Sequence, residues 1–176
     1  VFPPHTAQIR DEKGNELPPN ESGILWLRGP QVFDGYYDEE NNQDKFDRDG
    51  WFCTDDYAHL NRERQLFIHA RRSDLILTGG ENVYPHEIEV LLEEMEEIRE
   101  AAVTGLPDEE WGQRVAAFLV PATDSPPTDE ELKQRLEKRL SSYKIPKKFI
   151  WLEEFPRTES GKIQKKKLVE IHAPKP

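Results

Sequence analysis

Residues 69–89, HARRSDLILTGGENVYPHEIE, constrain what this chain can fold into more than any other stretch. Leu66, Phe67 and Ile68 lead into it as a short apolar run, and Leu75, Ile76 and Leu77 follow as a second. Between the two runs stand Arg71, Arg72, Ser73 and Asp74. A core strand with four polar groups in its middle would have to bury charge, so the chain is expected to change direction or domain here. Gly79 and Gly80 then permit a positive φ or a close approach of backbone to another body. Pro85 suits the first turn of a helix continuing as HEIEVLLEEM, whose Ile88, Leu91, Leu92 and Met95 share one face. A hinge beside a glycine turn is the first expectation.

Ahead of the joint, TAQIR (6–10) and SGILWLR (22–28) read as strands separated by the turn chemistry of DEKGNELPPNE. The polar segment DEENNQDKF suggests a helical turn, and residues 50–60 and 66–69 supply two more strands across NRER, giving an antiparallel meander. After the joint, residues 98–105, 116–120 and 149–152 read as strands. Helices are expected over 85–95, 128–140 and 163–171, the second capped by Thr128 with Glu131 three residues on.

The balance of 24 basic against 35 acidic residues gives a net charge of −11, which argues against nucleic-acid binding. No apolar run approaches a membrane span, and VFPPHTAQIR lacks the basic start and apolar stretch of a secretory leader, so a cytoplasmic protein is expected. Cys53 is the only cysteine, which excludes an internal disulfide and leaves a partly buried small side chain as its plain reading. The five histidines show no ligand spacing, and no protein metal site is expected. A chain beginning at Val1 reads as a segment of something longer.

Three ordered segments carry a resemblance. ARRSDLILTGGENVYPHEIE is similar to the hinge and following hairpin of the adenylate-forming (AMP-binding) enzymes, which include acyl-CoA synthetases, luciferases and peptide-synthetase adenylation domains. DGWFCTDDYAHL resembles their GW-x-x-TGD segment, and FPRTESGKIQKKKL their C-terminal P-R-T-x-x-GK segment. GPQVFDGYY stands ahead of all three. The resemblance implies an α+β fold in which an antiparallel β-barrel fragment precedes a small α+β C-terminal domain with a short mixed sheet flanked by helices. Residues 1–70 would end the N-terminal domain, 71–74 would be the hinge, and 75–176 the mobile C-terminal domain.

It also implies a reaction. A carboxylic acid and ATP form an acyl-adenylate with release of diphosphate, and a thiol, usually coenzyme A, then takes the acyl group. The C-terminal domain would turn about the joint between the two steps. Asp56 matches the aspartate that holds the ribose hydroxyls, a task for which a carboxylate accepting from both is well suited. Arg71 matches the arginine that contacts the nucleotide, and Ser73 the pivot position. Gly79 and Gly80 match the loop lining the pantetheine channel, where backbone without Cβ can lie against a narrow thiol arm. Lys162 matches the catalytic lysine that bridges carboxylate and α-phosphate, with Gly161 freeing its loop. Magnesium would arrive with ATP.

From the residues alone, Asp56 reads equally as a turn aspartate, Arg71 as the partner of Asp74, Ser73 as a turn serine, the two glycines as a hairpin and Lys162 as a solvent lysine. Lysines 144, 147, 148, 165, 166 and 167 suit the phosphates of coenzyme A or form a solvated basic face. Two positions depart from the family pattern: Asp55 replaces the usual glycine before Asp56, and Ala70 the glycine before Arg71. Extra negative charge near a triphosphate is expected to weaken ATP binding.

Within the family, RRSDLI followed by GGENVYP resembles most the o-succinylbenzoate–CoA ligases of menaquinone or phylloquinone synthesis. Medium-chain and aryl acyl-CoA ligases share much of the pattern, as does a peptide-synthetase adenylation domain that loads a carrier protein. A non-catalytic binding module keeping the fold is the alternative of another class. The acid pocket and phosphate loop would belong to the missing N-terminal domain, and this chain alone is expected to be inactive.

Overall fold

The computed structural model describes residues 6–173; the outer ends of both expected domains, including most of the closing APKP, lie outside the described residues. Two compact units divide between Ser73 and Asp74, inside the segment read as the joint.

The first unit is an antiparallel meander of β1 (Thr6–Arg10), β2 (Gly23–Arg28), β3 (Phe52–Leu60) and β4 (Leu66–Arg71), in that spatial order. No pairing of β1 with β4 closes it among the described residues. Alternation along the strands sends Ala7, Ile9, Leu25 and Ala58 inward, with Leu17, Leu27, Leu60 and Leu66 around them. The long β2–β3 connection contains a short 3-10 turn, Glu39–Asn42, and is pinned to the sheet by aromatic rings. Phe33 lies edge-on to Phe52 at 4.9 Å and Phe46 lies 5.2 Å from Phe52. Such pairs are worth about 0.5–1.5 kcal/mol beyond their burial. The strand after NRER runs two residues past its expected end because Tyr57 and Asp56 of β3 continue to pair with Ala70 and Arg71.

The second unit holds β5 (Ile76–Thr78), β6 (Glu81–Val83), α1 (Pro85–Glu93), β7 (Ile98–Asp108), β8 (Gly112–Pro121), α2 (Asp129–Glu137), β9 (Lys148–Trp151) and α3 (Lys165–His172). The sheet runs β6-β5-β8-β7, with β9 pairing β8 in parallel. It is therefore mixed, as expected. Strand β8 is apolar on both faces and sits at the centre. Val115, Ala117 and Leu119 pack with Ile88 and Leu92 of α1 and Leu132 and Leu136 of α2. Ala116, Phe118 and Val120 pack with Leu168 of α3 and Phe155. Burying a large side chain of this kind contributes about 1.5–3 kcal/mol.

Several boundaries differ from the sequence reading for local reasons. Strands β7 and β8 are longer than their apolar cores because their register continues from Ile98↔Pro121 to Asp108↔Gly112 through polar residues. Helix α1 stops at Glu93, before Met95: its last turn holds no basic residue, and the following acidic run opposes the negative end of the helix dipole. Helix α2 begins at the anticipated cap, where Glu131 N–H donates to Thr128 Oγ1 and Glu131 Oε2 accepts from Thr128 N–H.

Candidate nucleotide and acceptor sites

Asp56 and Arg71 are register partners on β3 and β4, and Arg71 Nε lies 3.1 Å from Asp56 Oδ1. The carboxylate is 23% exposed and the guanidinium 64%, so the pair presents acceptors and donors to solvent while remaining joined. The Asp56 backbone is anchored in turn: its N–H donates to Thr54 Oγ1 at 3.1 Å, and that hydroxyl donates to Leu25 O at 3.0 Å. A carboxylate can accept from a cis-diol while the planar fork of donors beside it donates to phosphate or ring oxygens of the same ligand. Two residues drawn from separate motifs thus form one polar site on the first unit.

Asp55, the departure from the family pattern, adopts φ = 60°, in the left-handed region that favours glycine and that aspartate tolerates better than most residues. Its carboxylate forms an ion pair with Lys45 and accepts from Cys53 Sγ at 3.6 Å. Burial opposes ionisation of Asp55, but the hydrogen bond and charge of Lys45 outweigh it and hold the carboxyl below its ordinary range. Burial pushes the Cys53 thiol up, and the charge of Asp55 adds to the effect. The extra negative charge expected beside the nucleotide is therefore paired within the protein.

The joint is a 3-10 turn, Arg72–Asp74, with Ser73 exposed. Arg72 bonds Glu12, whose other carboxylate oxygen accepts from Tyr57 Oη at 2.7 Å. The first unit therefore holds the chain as far as Arg72.

In the second unit, Gly79 and Gly80 form the two-residue turn between β5 and β6, with Thr78 paired to Glu81 and φ of 58° and 87°. Positive φ at both positions is what a tight hairpin of matching twist requires. Gly79 has a further constraint: a Cβ there would lie 2.5 Å from Trp111 Cε3, whereas nothing stands within 4 Å of one on Gly80. Gly79 N–H also donates to Trp111 O at 3.0 Å. Beside this contact opens a cleft of about 190 Å³ lined by Thr78, Gly79, Glu81, Trp111, Tyr143 and Lys147, among others. Trp111 is 52% exposed and Tyr143 36%. The cleft offers two aromatic faces, one ammonium and a Cβ-free wall. Sequence reading found the glycines but missed Trp111 and Tyr143, which stand far from them in the chain.

Lys162 lies on a tight loop closed by the Arg157↔Ile163 bridge. Thr158 N–H donates to Lys162 O at 2.8 Å, Lys162 N–H to Thr158 Oγ1 at 3.1 Å, and Arg157 to Gly161 O at 2.9 Å. Gly161 takes φ = 84°. The Lys162 side chain is exposed and has no ion-pair partner among the described residues. The other basic residues divide: Lys144 pairs with Glu87 and Lys165 with Glu89, while Lys147 lines the cleft. Among the described residues no three His, Cys, Asp or Glu side chains are grouped as metal ligands.

Residues 87–162 match the family model described as the AMP-binding enzyme C-terminal domain. The 2-succinylbenzoate–CoA ligase of Bacillus mycoides (strain KBAB4) is 42% identical over 163 residues, 92% of this chain and 34% of the relative. Residues 87–162 are an AMP-binding enzyme C-terminal domain. The indoleacetate–CoA ligase of Aromatoleum aromaticum is 39% identical over 163 residues, 92% of this chain and 32% of its own length. Among solved structures, the o-succinylbenzoate CoA synthetase (MenE) from Bacillus subtilis in complex with the acyl-adenylate OSB-AMP superposes with a TM-score of 0.87 at 37% identity, covering 93% of this chain and 33% of that one. The chain thus spans about a third of the length of the CoA ligases it matches.

Proposed function

We propose that this chain is the C-terminal part of an ATP-dependent acyl-CoA ligase that makes an acyl-adenylate and passes its acyl group to coenzyme A. The observation that carries the reading is the pairing of Asp56 with Arg71 at 3.1 Å across β3 and β4, where a ribose diol and neighbouring oxygens of ATP would be held. Residues 71–74 are the hinge and Ser73 its pivot, with the C-terminal domain turning beyond it. Lys162 enters to neutralise charge as carboxylate attacks the α-phosphate. Gly79 and Gly80 line the channel for the pantetheine thiol, and the cleft under Trp111 and Tyr143 receives another part of coenzyme A. Magnesium accompanies ATP, and the enzyme works in the cytoplasm.

The acid in this reading is 2-succinylbenzoate, supported by the names of several relatives near 42% identity, and the product would feed menaquinone synthesis. The test uses the full-length protein carrying this chain. 2-Succinylbenzoate should drive diphosphate release from ATP, and added coenzyme A should yield the thioester. Turnover of indoleacetate but not 2-succinylbenzoate would replace the acid; no acid-dependent ATP turnover across an aryl and medium-chain panel would overturn the ligase reading.

A further inference from the structure

The first unit sets two consecutive carboxylates, Asp55 and Asp56, on one strand, and each is met by a different cation. Asp56 has Arg71, and Asp55 has Lys45. Lys45 comes from the long β2–β3 connection, and that connection is fixed where it does so: Cys53 N–H donates to Lys45 O at 2.8 Å, Phe46 bridges Phe52, and the Phe33–Phe46–Phe52 rings pack beside it. The Lys45 and Asp55 side chains are 25% and 33% exposed, so the pair is partly withdrawn from water and less screened than a surface bridge. Asp55 meets this partner from a left-handed backbone, φ = 60°, a conformation that costs a non-glycine residue about 1 kcal/mol or more and is retained where its surroundings fix it.

An unpaired Asp55 would have two effects beside a polyanionic nucleotide. It would repel the phosphates, and it would draw on the Arg72 guanidinium, whose charge already reaches it and which is otherwise held by Glu12. We propose that Lys45 is a positioning residue of the nucleotide site: by holding Asp55 in its left-handed turn, it neutralises the carboxylate that stands next to Asp56 and keeps it from opposing the nucleotide's charge. The inference rests on the ligase reading and deepens it, since it makes nucleotide affinity depend on a residue that acts through Asp55.

The test is a charge-rescue cycle in the full-length enzyme. Lys45→Met should raise the KM for ATP about five- to tenfold at low ionic strength, the scale of one uncompensated charge at close range, with kcat changed less than twofold. Adding salt to about 0.5 M should shrink that ratio, because the effect is electrostatic. Lys45→Arg should keep the wild-type KM. Asp55→Gly placed on Lys45→Met should return KM to within about twofold of wild type, removing the orphaned charge and suiting the backbone better. A Lys45→Met enzyme with wild-type KM, or a double variant as impaired as the single, would overturn the proposal. If Lys45→Met alone fails to fold, the double variant decides: folded with near-wild-type KM it supports charge compensation, and unfolded it shows a structural role only. A wild-type enzyme without acid-dependent ATP turnover would instead overturn the ligase reading, and this inference with it.

Discussion

Glu89 on α1 accepts a hydrogen bond from the backbone N–H of Val103 on β7 at 2.8 Å, and the same carboxylate oxygen meets the Lys165 ammonium of α3 at 2.6 Å. Strand β7 is an edge of the sheet, so this N–H would otherwise face outward unpaired. Glu93 repeats the device one turn on, accepting from Ala101 N–H at 3.2 Å. Two glutamates of α1 thus cover a strand edge.

Glu89→Ala should therefore cost the second unit about 1.5–3 kcal/mol, the range for a lost hydrogen bond to a charged group. In a thermal melt that corresponds to a fall of roughly 10 °C for a unit of this size. Glu89→Gln keeps the acceptor for Val103 and should lose less. Equal melting temperatures for wild type and Glu89→Ala would show that water serves the edge as well as the carboxylate does.

The two turn glycines should respond differently. Gly80→Ala meets only the backbone strain of φ = 87°, because the space around it is open. Gly79→Ala adds a clash with the Trp111 ring at 2.5 Å and must displace it. We expect Gly79→Ala to shift tryptophan fluorescence, with the shift absent in a Trp111→Phe background, and Gly80→Ala to leave it in place. In the full-length enzyme, Gly79→Ala should slow thioester formation more than adenylation. A bulky Gly80→Leu should do the same, because Gly80 also lines the proposed thiol channel.

Lys162 makes no ion pair among the described residues, so its removal should be nearly invisible to folding. Lys162→Ala should melt within about 2 °C of wild type, as surface substitutions usually do. In the full-length enzyme, diphosphate release should nonetheless fall on the order of 10²- to 10³-fold, the range for loss of one charge-stabilising contact. Thioester formation from supplied acyl-adenylate should fall little. Equal loss in both steps would remove Lys162 from the adenylation chemistry.

Acid should weaken the first unit through Asp47. Burial raises its carboxyl, but the Arg10 guanidinium and the N–H groups of Trp51 and Asp49 more than offset this and hold it below the ordinary range. A carboxylate depressed in the folded state contributes stability that is present above its unfolded value, near pH 4, and is lost as pH falls through the folded one. The melting temperature of wild type should drop more steeply below about pH 4 than that of Asp47→Asn, which starts lower and titrates less. Parallel curves would assign the acid sensitivity to other groups.

What could be read in the sequence was what local chemistry dictates. Thr128 and Glu131 announce a capping box because both partners lie within one turn, and Ile88, Leu91 and Leu92 announce a helix face by spacing alone. Asp56, Arg71, Gly79, Gly80 and Lys162 were singled out through motifs, and their roles belong to the proposed ligase reading. Strand β6 was not, since three residues following a glycine turn give no alternation to detect. Trp111 and Tyr143 were passed over because only the folded sheet brings them to Gly79. Lys45 was invisible for another reason: it pairs with Asp55 across an irregular connection, and the left-handed turn that aims Asp55 leaves no mark on composition.

The loop that carries Lys162 is closed by its own residues, its backbone held by hydrogen bonds among Thr158, Arg157, Gly161 and Lys162. Fixing a free residue costs roughly 1–2 kcal/mol of backbone entropy, so a slack loop of this length would draw several kcal/mol from substrate binding each time it closed. In the proposed reaction a loop closed in this way would not have to be ordered at each turnover. Lys162 would then be carried on a rigid body, and the cost of bringing it to the phosphate would fall on the proposed turn of the whole domain.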